Sequence, residues 1–121
     1  MGKSKAKTEQ RRQGDRGERR VALYLMLRGY RILERNWRCR HKEVDIIAKR
    51  GRTVAFVEVK TRLSASAALP QAAVGAEKRA NIVSASKSYA QQHDVSGCTI
   101  RYDIAEVTEK GVNYIKSAFY A

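Results

Sequence analysis

Apolar side chains are almost absent over residues 1–14, and from there on they fall into helical spacing. Val21, Ala22 and Leu25 share one helix face with Glu18. Gly29 follows the last apolar turn, where tolerance of positive φ suits a C-cap, so a first helix is predicted over about residues 16–28. Residues 30–38 alternate loosely and predict a strand. Residues 43–48 and 53–61 predict two more, with KRGR at 49–52 as the turn between them. A loop of about four to six residues makes this pair an antiparallel hairpin. In the second strand Val54, Phe56, Glu58 and Lys60 point one way, and Ala55, Val57, Val59 and Thr61 the other. Both faces are apolar up to Glu58, the pattern of a central strand covered on each side. A small-residue loop over 63–69 leads to Pro70, which opens a predicted helix running to about residue 92, with Val74, Ile82 and Val83 turned inward. Ile100, Tyr102 and Ile104 alternate as a further strand, and a turn at 109–111 leads into a closing strand over about 112–117. Helix, three strands, helix, two strands predicts an α/β fold with a central mixed β-sheet flanked by helices.

The 121 residues suit one domain, expected over 15–121, preceded by a basic, disordered arm over 1–14. The opening residues contain no apolar stretch of the secretory kind. The longest apolar run, VALYLML at 21–27, is too short to cross a bilayer. Cys39 and Cys98 match no metal-binding spacing, so reduced thiols and a cytoplasmic location are expected. Charge changes the picture most. The chain carries 25 Lys and Arg against 12 Asp and Glu, a formal net charge of +13. Eight positive and three negative residues lie in 1–20, and eleven and four in 28–62. The second group falls within the predicted strands, where mutual repulsion calls for a polyanionic partner, and nucleic acid is the commonest in the cytosol.

Acidic side chains on half-buried strands are unfavourable unless paired, hydrogen-bonded or bound to metal. Asp45 and Glu58 lie on the two strands of the predicted hairpin. With the turn centred near residues 50 and 51, Asp45 faces about position 57, one short of Glu58, so a small register shift brings the carboxylates together. Two convergent carboxylates repel, and a hard divalent ion, Mg²⁺ with Mn²⁺ as the alternative, resolves the conflict through oxygen ligands and retained water. Water acidified in this way attacks phosphodiesters. Lys60, on the Glu58 face, is placed to orient or deprotonate such a water or to stabilise charge on phosphorus oxygens. Glu18 is expected to reach the same region from the first helix. Glu43 is read as a surface ion-pair partner. His41 and His93 are too scattered for a zinc centre, Ser64 and Ser66 lack a matched His and Asp, and GDRG at 14–17 lacks the Lys-Ser/Thr ending of a phosphate loop.

The strings G-x2-GE, GYRILERNWR, EVDIIA and FVEVKTR, with the later AVGAEKRANI, RYDIAEV and SAF, make residues 14–121 resemble the bacterial UPF0102 family, also called the YraN family. Lys42 stands where that family usually has Gly before the acidic pair. The family is similar to archaeal Holliday junction resolvases and to the restriction-endonuclease-like, PD-(D/E)XK group. The resemblance therefore implies a restriction-endonuclease-like α/β fold and a metal-dependent endodeoxyribonuclease acting on structured or branched DNA. It implies catalytic roles for Glu18, Asp45, Glu58 and Lys60, with Asp45 and Glu58 as metal ligands and Glu43 as a further matching position. Lys78 is the phosphate contact it suggests, and Arg11, Arg12, Lys78 and Arg79 are expected to add DNA affinity more than sequence discrimination. A non-catalytic nucleic-acid-binding protein and a structural adaptor are the alternatives. A homodimer would suit the two-fold character of a junction.

Overall fold

Strands that are apolar on both faces need cover on both sides, and here a helix supplies it on each. The computed structural model describes residues 5–62 and 74–121, with side chains from residue 14 onward. The elements run α1 (Lys5–Leu27), β1 (Arg31–Cys39), β2 (Lys42–Arg50), β3 (Thr53–Thr61), α2 (Ala76–Gln92), β4 (Thr99–Thr108) and β5 (Gly111–Phe119). They form one five-stranded sheet in the order β1-β2-β3-β4-β5. Only β3 and β4 are parallel, because α2 carries the chain back between them; the other neighbours are antiparallel. The architecture is thus the α/β fold with a mixed sheet that the order of elements predicts.

Two boundaries differ from the sequence reading. α1 begins at Lys5 rather than near residue 16, so the arm expected to be disordered continues the helix from that point. Lys, Ala, Gln, Glu and Arg all have high helix propensity, and extending an existing helix avoids a new nucleation cost. α2 begins at Ala76, after Gly75; Pro70 lies outside the described residues. The end of α1 follows expectation. Gly29 takes φ +88, Tyr30 N–H donates to the Leu25 carbonyl and Gly29 N–H to that of Met26, the paired bonds of a Schellman cap.

The two core layers follow from strand alternation. On one face Val54, Phe56, Tyr102 and Ile104 pack under Ile82, Ala85 and Tyr89 of α2. On the other, Ala55, Val57, Ala105 and Val107 pack under Val21, Ala22 and Leu25 of α1. Phe56, Ile82, Val21 and Leu25 are wholly buried, each stabilising the fold by about 1.5–3 kcal/mol. α1 approaches the end of β3 so closely that a Cβ on Gly17 would collide with Thr61 Oγ1. Among the described residues no helix is long and apolar enough to cross a membrane.

Candidate active site

The β2–β3 hairpin has a two-residue loop, not the four to six predicted, because Lys49 and Arg50 still pair as strand residues. Gly51 takes φ +59 in that loop, a conformation that costs glycine little. Arg50 therefore faces Thr53 and Ile46 faces Val57, which moves the register in the direction that brings Asp45 towards Glu58. The ladder ends after the Ile46–Val57 pair, and the pleat of β2 breaks at the same point. Val44 joins the core under α2 whereas Ile46 joins that under α1, although strict alternation would keep them together. Between them, Asp45 Oδ2 accepts the Val59 backbone N–H at 2.8 Å. A side chain thus occupies the place of a ladder partner. The Asp45 carboxyl also shares a hydrogen bond with that of Glu58.

Two cations converge on the same carboxyl. Lys60 Nζ lies 3.8 Å and Lys78 Nζ 3.7 Å from Glu58 Oε2. The Glu58 side chain is only 3% exposed, while Lys60 and Lys78 are 37% and 44% exposed, so a buried carboxyl sits beneath two ammonium groups open to solvent. Glu18, buried on α1, bonds the Asn36 side chain, feels the Asp45 charge and has Arg35 Nη2 at 3.7 Å. Asn36 holds φ +52 in β1, opposite the break in β2. Glu43 binds Arg38 Nε at 2.6 Å as an ion pair, and its charge still reaches Asp45. Arg79 Nε donates to the Val74 carbonyl at 2.7 Å. The side chains of Arg11 and Arg12 lie outside the described residues.

Burial pushes the Glu58 carboxyl up to about 8, with the neighbouring Asp45 charge adding to the effect against Lys78 and Lys60. Burial, then the Asp45 charge, pushes Glu18 up to about 7. Asp45 is raised by burial too, against the bonds from Val59 and Glu58. Each group binds its proton more tightly folded than unfolded. Their contribution is therefore fully present below the unfolded carboxyl range and is lost as pH rises through the folded values of about 7 and 8. In chelator-treated protein, stability should fall from pH 5 to pH 8 by up to about 1.4 kcal/mol per pH unit for each proton taken up on folding. Glu58→Gln should flatten this slope and be more stable than wild type at pH 8. Denaturant unfolding at several pH values checks it, and identical slopes in the two proteins would contradict it.

Whether these residues suit a divalent ion turns on their unused oxygens. Glu58 Oε1 and Glu18 Oε1 are buried without a hydrogen-bond partner. Among the described residues no group of three His, Cys, Asp or Glu side chains is arranged to hold an ion. The pair Asp45 and Glu58 fits an ion such as Mg²⁺ that takes one or two carboxylates and keeps water in its remaining positions. It does not fit zinc, which prefers a closed set of nitrogen and sulfur ligands.

Sequence reading did not find Asn36, Arg35 or the contact of Lys78 with Glu58, all of which depend on how helices dock and β1 bends. It also missed Asp103, which is wholly buried on β4. Arg101 grips that carboxylate with Nε at 2.9 and 3.0 Å and Nη2 at 2.9 Å, the Ser117 N–H donates at 2.9 Å, and Tyr114 donates its hydroxyl. Arg101 also donates to the Tyr30 hydroxyl. An Arg and an Asp two apart on one strand face was the signal available in RYD.

The model of the family described as "Uncharacterised protein family UPF0102" matches residues 17–107. A UPF0102 protein of Syntrophus aciditrophicus is 44% identical over 116 residues, covering 93% of this chain and 91% of its own. Another, of Trichlorobacter lovleyi, is 44% identical over 112 residues, covering 88% of each chain. Among solved structures, Hjc of Archaeoglobus fulgidus, a Holliday junction resolvase, is similar in fold. Its TM-score is 0.58 at 19% identity, over 84% of this chain and 73% of that one.

Proposed function

The chain belongs to the UPF0102 family, and from its buried carboxyl pair we propose that it is a metal-dependent endonuclease that cleaves structured or branched DNA. The observation that carries this reading is the meeting of Asp45, Glu58, Lys60 and Lys78 where β2 and β3 part. A fold core does not need two carboxyls in contact, each raised by burial. Such perturbed groups cluster at functional sites because the same environment that disfavours their charge gives them a role. The likeness in fold to a Holliday junction resolvase supports the choice of branched DNA, and the net charge of +13 supports a polyanionic substrate.

Asp45 and Glu58 are the residues that would hold the ion. Mg²⁺ or Mn²⁺, when bound, supplies positive charge against the scissile phosphate and makes hydroxide available near neutral pH. The Val59 N–H fixes the Asp45 carboxyl in place. Lys60 stabilises charge developing on the phosphoryl oxygens, and Lys78 receives an adjacent phosphate from the α2 side. Glu18 extends the acidic group on the α1 side. Calorimetry with Mg²⁺ or Mn²⁺ should show a site in the wild type that is lost in Asp45→Ala/Glu58→Ala, and equal binding by both would remove this pair from the metal site.

The decisive experiment is cleavage of linear, flapped and four-way substrates with and without Mg²⁺. Cleavage of a branched substrate that needs the ion and fails in Asp45→Ala is expected. The second reading, a nucleic-acid-binding protein without catalysis, draws on Lys60 and Lys78, which already balance Glu58 without an ion. Tight binding that is unchanged by Asp45→Ala, with no cleavage by wild type, would establish it. In either case affinity should fall steeply with salt. Replacing any phosphate-contacting residue among Arg11, Arg12, Lys78 and Arg79 should lower the log–log slope on duplex DNA by about 0.9 per contact. A slope unaltered by all four substitutions would exclude these residues from the interface.

A further inference from the structure

On the α1 face of the sheet, α1, the turn that follows it, β2 and β5 border a cavity of about 330 Å³ lined by Tyr24, Leu25, Arg28, Tyr30, Arg50, Tyr114 and Lys116. Arg50 is five residues from Asp45, roughly 17 Å along β2, whereas Tyr114 stands on β5 level with Val59. Its volume is within the range of small-ligand pockets. Two features set it apart from the rest of the basic surface.

The first is cationic charge that is held in place yet left without an acidic partner. The Arg28 guanidinium lies 3.4 Å from the Tyr24 ring centroid and donates to the Tyr24 carbonyl at 3.2 Å. The Arg50 guanidinium lies 4.4 Å from the Tyr30 ring centroid and donates to the Arg28 carbonyl at 3.0 Å. Among the described residues neither guanidinium, nor Lys116, pairs with a carboxylate. Stacking on an aromatic ring orients a guanidinium while leaving most of its N–H groups for another acceptor.

The second feature is the fixing of the aromatic wall. Tyr24 and Tyr114 stack with ring centroids 5.5 Å apart and planes 19° from parallel. The hydroxyls of Tyr114 and Tyr30 are tied to the buried Asp103, one directly and the other through Arg101. Tyr24 is thus held between Tyr114 and the Arg28 guanidinium, and Tyr30 lies under Arg50, so the rings back three cations that lack an anion. A guanidinium plane backed by stacked rings, next to further unpaired positive charge, suits a ligand that has both a phosphate and a planar ring.

We propose that this cavity binds an unpaired nucleotide of a single-stranded segment, its phosphate held by Arg50 and Lys116 and its base laid on the Arg28 guanidinium that Tyr24 backs. Bases in a duplex cover one another's faces, whereas a single strand offers each base to a planar side chain. The inference rests on nucleic acid being the partner, and it adds a second contact, on the α1 face of the sheet, that selects substrates containing unpaired nucleotides.

The test uses the full chain and a single-stranded oligonucleotide with one 2-aminopurine, whose fluorescence is quenched when its ring stacks. Wild type should quench it on binding. Arg28→Gln/Lys116→Gln, and separately Tyr24→Leu, should weaken single-strand binding by about tenfold or more and abolish the quench. Duplex affinity should stay within about twofold of wild type, since the phosphate contacts of a duplex lie elsewhere. Circular dichroism melts establish that both variants fold, and Tyr24→Leu removes no charge, so its effect isolates stacking. Parallel losses on single strand and duplex would overturn the proposal, as would binding without quenching. Displacement of the strand by an equal concentration of free 5′-mononucleotide would overturn the strand as occupant. A protein that cleaves branched DNA but never quenches the probe refutes this pocket alone, whereas one that binds no nucleic acid refutes the proposed function as well.

Discussion

Lys60→Ala should slow cleavage of the preferred branched substrate by about 10²- to 10⁴-fold while leaving the fold and most of the DNA affinity intact. That factor corresponds to roughly 3 to 5 kcal/mol of barrier. Lys60 Nζ lies 3.8 Å from Glu58 Oε2 on a side chain 37% exposed, so its ammonium is at the carboxyl site yet within reach of a substrate in solvent. Affinity depends on many phosphate contacts, and Lys60 is one of 25 basic residues. Transition-state charge, in contrast, develops at one phosphorus, where the loss of one positioned cation is felt in full. Lys78 lies at a similar 3.7 Å from the same oxygen but approaches from α2, and its replacement should affect binding more than rate. Single-turnover cleavage at saturating protein, with circular dichroism and binding in parallel, separates these effects. Wild-type rates in Lys60→Ala would eliminate its catalytic role, and joint loss of folding, binding and cleavage would make it structural.

The parts of the fold that were legible are those set by local alternation. β3 carries Val54, Phe56 and Glu58 on one face and Ala55 and Val57 on the other, and the apolar halves of both sets go into separate cores as the pattern requires. The end of α1 was legible because Gly29 has one conformational reason to be there. The start of α1 was not, since Lys, Gln and Arg on a solvated helix and in a solvated coil read alike. The site was half legible for the same reason. Glu58 and Lys60 share a face by period alone, but the approach of Asp45 depends on a loop two residues long and on a broken pleat. Neither is specified by residues 41–62 in isolation. Lys78 meets Glu58 only because α2 packs across β2 with its first turn beside the end of β3, a tertiary outcome that no spacing within α2 encodes.

Asp103→Ala should cost about 3–5 kcal/mol, the usual effect of removing one member of a buried ion pair. The carboxylate is fully buried and accepts from Arg101, Tyr114 and the Ser117 backbone. The β4–β5 ladder is irregular between Tyr102 and Ile104, and Ser117 takes φ +51 on the strand opposite. Asp103 thus satisfies an amide that the ladder leaves over, as Asp45 does for Val59. Burial and the Asp103 charge hold the Tyr114 phenol well above its usual range, so it acts as a fixed donor. Truncation strands a guanidinium whose side chain is only 16% exposed, together with a phenol and an amide. Asp103→Asn keeps an acceptor for the amide but not the charge, and should fall between Ala and wild type. Replacing both partners, as Arg101→Met/Asp103→Ala, should recover part of the loss, because the stranded cation is then gone. Urea unfolding with matched m-values measures all four proteins. A single-variant loss below about 1 kcal/mol, the level of an exposed ion pair, would show that this network does not hold the sheet together.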